Sequence, residues 1–114
     1  MVNAGTIQSW FERYMLEHHE TEGNVELYKT TVRCVLTRYL IEKYGAMEVS
    51  EFGIGEAEDT IREVETNEEV NSQQYANRIF SWFHHYFNFV LEHGGTDMNP
   101  YDQVDKPVIV NSKK

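Results

Sequence analysis

Residues 71–100, NSQQYANRIFSWFHHYFNFVLEHGGTDMNP, decide the fold of this chain. Seven aromatic side chains fall between Tyr75 and Phe89, with long aliphatics among them. Laid out at about 100° per residue, Tyr75, Ala76, Ile79, Phe80, Trp82, Phe83, Tyr86, Phe87, Phe89, Val90 and Leu91 share one arc of roughly 200°. Asn77, Arg78, Ser81, His84, His85, Asn88 and Glu92 fill the rest. A strand would have alternated faces, so the spacing predicts one long helix, buried on most sides, with a narrow polar strip. The strip is poor in charge and rich in hydrogen-bonding groups. A merely solvated face more often carries Lys and Glu, so the strip reads as a surface made for contact.

The remaining chain supplies partners for that helix. Ile7, Trp10, Phe11, Tyr14, Met15 and His18 share one face of a first helix, expected from Thr6 or Ser9 to His19, with Ser9 and Glu12 as a capping box. A second helix is expected from Asn24 to Tyr44, stopped by Gly45, with Tyr28, Val32, Val35, Leu36 and Tyr39 as its core stripe. Residues 45–55 form a connector whose Val49, Phe52 and Ile54 are expected in the core. A short acidic helix follows from Glu56 to Glu65, burying Ala57, Ile61 and Val64; its early carboxylates suit the positive end of the helix dipole. Asn71 or Ser72 caps the long helix, Gly94-Gly95 ends it, and Asn99-Pro100 marks a turn. The expected architecture is all-α, a compact bundle of four to five helices.

With 114 residues the chain has the size of one domain and can bury an ordinary core without staples. Cys34 is the only cysteine, which excludes an intrachain disulfide and suggests an intracellular, cytoplasmic setting. No apolar run approaches the ~18 residues of a membrane span, and the N-terminus lacks the pattern of a secretory signal. The net charge of −9 is uneven: segment 45–71 carries −8 and segment 1–23 carries −3, whereas segment 24–44 carries +2 and the remainder is neutral. Cation clusters drive phosphate binding, so total charge argues against nucleic acid while its distribution leaves two helices open to it.

Few residues suggest chemistry. His18-His19 and His84-His85 are adjacent pairs that diverge by about 100° on a helix and cannot chelate in the i, i+4 manner. Cys34 has no base near it in sequence and reads as a small apolar residue. Glu56, Glu58, Asp59, Glu63 and Glu65 read as a solvated acidic face. The glycines form no phosphate-cradling pattern. No metal or cofactor is implied, and nothing indicates an enzyme acting alone. The strip on the long helix is different, because Asn, Arg, Ser and His are side chains that meet base edges and phosphates. A helix contacting another protein could use the same groups.

Two stretches carry a resemblance: LYKTTVRCVLTRYLIEKYG at 27–45 and NRIFSWFHHYFNFVLEHGGTDMNPYDQVDKP at 77–107. Their order resembles the N-terminal core-binding domain, of SAM-like fold, of the tyrosine recombinases, the phage-integrase and Xer-like site-specific recombinases. An aromatic first helix, a Thr/Tyr/Arg-bearing second, a short acidic third and a long fourth lead through Asn-Pro and Lys-Pro to an exit segment. The resemblance implies an orthogonal four-helix bundle over residues 1–105 and a linker at 106–114 towards a catalytic domain. It implies half of a clamp around recombination half-site DNA, acting with other protomers. The contacts it implies are Lys29, Thr30, Arg33, Thr37 and Arg38 on the second helix, and Asn77, Arg78, Ser81, His84, His85 and Asn88 on the fourth. The family's catalytic His-x-x-Arg pair is absent from this chain, so no catalytic role passes to Tyr101 or to any other tyrosine. Acidity outside the contact patches is the pattern of a salt-adapted, haloarchaeal member.

Overall fold

Thr6 opens the first helix. Its Oγ1 accepts from the Ser9 amide at 3.1 Å, and the Thr6 amide donates back to Ser9 Oγ at 3.0 Å. Ser9 is therefore the third helical residue of a capping box and not its cap. The computed structural model that shows this describes residues 5–20 and 26–109, with side chains for all of these except 18–20 and 26–29. Asn24, the expected cap of the second helix, and residues 110–114 lie outside the described residues, as do the side chains of His18, Tyr28 and Lys29.

Four main helices follow in order, and no strand occurs among the described residues. Helix α1 (Ile7–Tyr14) continues as a π-helical turn, Met15–Glu20. Helix α2 (Glu26–Leu36) continues through a π-helical Thr37–Ile41 and a closing turn, Glu42–Tyr44. Helix α3 spans Ile54–Thr66 and helix α4 spans Gln73–Glu92. Short 3-10 turns sit at Val49–Glu51 and Pro100–Gln103. No described helix is long and apolar enough to cross a membrane.

The π turn in α2 has a packing consequence. The Glu42 amide reaches back five residues to the Thr37 carbonyl, and the widened turn buries the adjacent side chains Tyr39 and Leu40 together while leaving Arg38 outside. Periodicity of 3.6 had placed only Tyr39 in the core.

Helix α4 is the axis of the core. Tyr14 of α1 meets Tyr86 and Phe89 edge-on, with ring centroids 5.4 and 5.5 Å apart. Tyr39 of α2 meets Phe83 at 5.9 Å. Phe52, from the connector, stacks on Phe87 at 4.8 Å, and Tyr101 from the last turn lies against Phe83 at 5.2 Å. These rings, in edge-to-face and offset arrangements, fill the centre. The Tyr86 hydroxyl donates to the Ile7 carbonyl at 2.7 Å, which ties α4 to the start of α1. Val49 and Phe52 enter the core as expected, but Ile54 stays exposed. It shares the face of Ala57, Ile61 and Val64, yet as the first residue of α3 its side chain leans off the end of the helix, beyond the buried stripe.

The end of α4 explains its glycines. Gly94 adopts φ +83°, which only glycine takes without strain. The next residue, Gly95, donates to the Val90 carbonyl at 2.9 Å, and a Cβ there would fall 2.7 Å from Trp10 Cζ2. The chain then returns along α4. Asn99 caps the last turn by accepting from the Tyr101 amide at 3.0 Å.

Candidate nucleic-acid interface

The strip on α4 is present, and much of it is already engaged. Asn88 Oδ1 accepts from Asn99 Nδ2 at 3.0 Å, and the same amide donates to the His84 carbonyl at 2.9 Å. His84 Nε2 lies 2.6 Å from Asp102 Oδ1, with its ring stacked against Phe80. His85 Nδ1 lies 2.7 Å from the hydroxyl of buried Tyr14. Asn77 Oδ1 accepts from Gln73 Nε2 at 2.9 Å, and the exposed Ser81 hydroxyl donates to the Asn77 carbonyl at 3.1 Å. Arg78 is exposed and has no partner among the described residues.

The exit segment joins this face. Gln73 donates to the Pro107 carbonyl at 2.7 Å and accepts from the Ile109 amide at 2.9 Å, while the Val108 amide donates to Glu65 Oε2 at 2.8 Å. Pro107 is buried and Ile109 packs on the core, so residues 107–109 lie docked on the bundle. Lys106 joins Ser81, His84, His85 and Asn88 around an open groove of about 480 Å³.

The candidates on α2 have different surroundings. Thr30 is exposed and Thr37 half-buried. The Arg33 guanidinium lies 5.4 Å over the Phe11 ring and 3.5 Å from Glu12. Arg38 lies over Tyr39 and 3.7 Å from Glu69, beside a groove that Glu42, Glu63 and Glu69 also line. Lys43 donates to both Asp59 and Glu63 of α3. Of the positive charge read from segment 24–44, Arg38 and Lys43 are thus met by carboxylates from the acidic segment and Arg33 by Glu12 of α1. Asp59 and Glu63 belong to that segment and serve as ion-pair partners, and Glu56 accepts from the Gly53 amide at 2.9 Å. The expected solvated acidic face is in these places a set of structural contacts.

The two candidate sets do not converge. Phe83, which meets α2, and Asn88, at the centre of the strip, are five residues apart and so about 140° apart around α4. The strip faces away from α2. Cys34, expected as a small buried residue, is exposed on α2. Among the described residues no three His, Cys, Asp or Glu side chains gather in a way that could hold a metal ion. Gln73, Asp102 and Lys106 were not candidates in the sequence; the spacing of Gln73 four residues before Asn77 was the one local signal for any of them.

Comparison with protein-family profiles, with curated proteins and with solved structures finds no match to this chain.

Proposed function

We propose that this chain is a DNA-binding domain of the tyrosine-recombinase core-binding type, of SAM-like fold, without catalytic groups of its own. It contacts double-stranded recombination-site DNA through the exposed face of α4, acts in the cytoplasm, and works with other protomers of its full-length protein. One contrast supports this face over α2. From Gln73 to Leu91 the helix contains no carboxylate, and Arg78 is exposed without a partner among the described residues. By comparison Arg13, Arg33, Arg38 and Lys43 all stand within 4 Å of a carboxylate. Phosphate binding needs cations that are not already neutralised. Arg78, Ser81 and His85 supply the exposed contacts, with Asn77, His84 and Asn88 behind them and Thr30, Arg33, Thr37 and Arg38 in a secondary role.

Titration of a short mixed-sequence DNA duplex against the full chain tests this proposal. Arg78→Ala is expected to weaken binding with an unchanged helical signal. Equal binding by Arg78→Ala and the parent chain removes the assignment.

A second reading, a helical module that binds another protein, draws on the pairing of the α2 cations and on the overall charge of −9. No retention of the parent chain on DNA at any salt concentration would favour it.

A further inference from the structure

From Gln73 to Leu91 the face of α4 lacks carboxylates of its own, yet one is laid upon it from elsewhere. Asp102, on the Pro100–Gln103 turn, holds Oδ1 at 2.6 Å from His84 Nε2. The position does not depend on that bond. Asn99 anchors the turn through the His84 carbonyl and Asn88 Oδ1, and Tyr101, next to Asp102, is buried against Thr60. The Asp102 side chain is itself 55% exposed. The carboxylate is therefore carried on a rigid backbone while its own rotamer remains free to turn into solvent.

An anionic oxygen at hydrogen-bond distance from a ring N–H is the arrangement a DNA phosphate oxygen would adopt on the same imidazole. We infer that Asp102 is a built-in phosphate mimic, an autoinhibitory contact that occupies His84 until a DNA backbone displaces it. The inference rests on α4 being the DNA face. Rotation of one side chain releases His84 without moving the turn. Lys106, four residues further along the same segment, lines the groove beside His84 and supplies a cation to the incoming phosphate. The segment thus carries both the competitor and the charge that replaces it. Any duplex that engages His84 must first displace the carboxylate, which lowers the apparent affinity of each such duplex by the same factor.

The test uses the full chain and a short mixed-sequence duplex at low salt. Asp102→Asn keeps the size of the side chain and removes its charge. It is expected to tighten binding about two- to fivefold, the range of an exposed ion pair. Asp105→Asn is the control for loss of one negative charge nearby, and its gain is expected to be smaller. In a His84→Gln background the extra gain of Asp102→Asn should vanish. Equal gains from Asp102→Asn and Asp105→Asn, or a gain that survives His84→Gln, overturn the inference. Asp102→Ser serves as the second variant if Asn disturbs the turn. Binding that falls with Arg78→Ala but ignores Asp102→Asn leaves the DNA face standing and removes only the mimic. A set of chains none of which binds the duplex removes both.

Discussion

Tyr101 places its phenol oxygen 2.6 Å from the hydroxyl of Thr60, at the bottom of the core. The Thr60 hydrogen is already committed to the Ala57 carbonyl at 2.7 Å, so Tyr101 is the donor. Both residues are essentially inaccessible to solvent. The turn after α4 is therefore an integral part of the core, and it fixes the backbone from which Asp102 reaches His84.

The first prediction concerns this pair. Tyr101→Phe removes one donor and leaves Thr60 its bond to Ala57, so the cost is about 0.5–1.5 kcal/mol. Tyr101→Ala also empties the space against Phe52, Phe80, Phe83 and Phe87, and a cost of about 3–5 kcal/mol is expected. Urea denaturation of both variants checks the order. Equal midpoints for Tyr101→Ala and the parent chain would mean that the turn is not part of the cooperative core.

Alkaline pH should unfold the chain through its tyrosines. Burial pushes the Tyr86 and Tyr101 hydroxyls well above the ordinary value, and burial with a hydrogen bond to Asp59 pushes Tyr44 up to about 12. The folded state therefore binds these protons more tightly than the unfolded state. Their contribution to stability is complete below the unfolded value of about 10 and is lost as pH rises above it. Phenolate absorbance and helical circular dichroism, followed together, should show the buried tyrosines ionising only as the helices melt. Full ionisation with the helical signal intact would contradict the burial of Tyr86 and Tyr101.

The ion pair between α2 and α3 has the opposite sign. Lys43 first, then the Tyr44 hydroxyl, donate to Asp59 and hold its carboxyl below the ordinary value. A depressed value adds stability above the ordinary carboxylate range and loses it as pH falls through the folded value. The pair is partly open to solvent, so Asp59→Asn should cost about 0.5–1 kcal/mol at neutral pH. The difference from the parent chain should close below about pH 4. Denaturation midpoints at the two pH values measure this, and a gap that stays constant would rule out the charge as its source.

How much of this was legible in the sequence depends on the range of each contact. The aromatic arc of α4 was legible because hydrophobic burial leaves a local period, and every residue from Phe80 to Val90 assigned to that arc is buried. Thr6 was one of the two starts read for the first helix, but the capping box was read at Ser9 and Glu12, because Ser9-x-x-Glu12 fits the local pattern and only the reciprocal bonds reveal the box at Thr6 and Ser9. The π turn at Thr37–Ile41 has no sequence signature, and Leu40 was missed with it. The polar strip was found by composition, but its use was hidden. His84 meets a partner 18 residues away, His85 one 71 residues away, and Gln73 partners at 34 and 36. Such pairings depend on the return path of the chain, which leaves no periodic trace.

The last prediction separates the two candidate faces. If α4 carries the DNA, Arg78→Ala removes one phosphate contact and should lower the dependence of log affinity on log salt by about one. Arg38→Ala should do much less, because Glu69 stands 3.7 Å from its guanidinium and the adjoining groove is lined by two further carboxylates. The faces lie on different sides of the bundle, so one straight duplex engages one of them closely and not both. Salt titrations of the parent, Arg78→Ala and Arg38→Ala chains on the same duplex therefore give a ranking. A larger loss of slope for Arg38→Ala would move the interface to α2, where Arg38 must first leave Glu69. It would also leave Asp102 with no phosphate to imitate on α4.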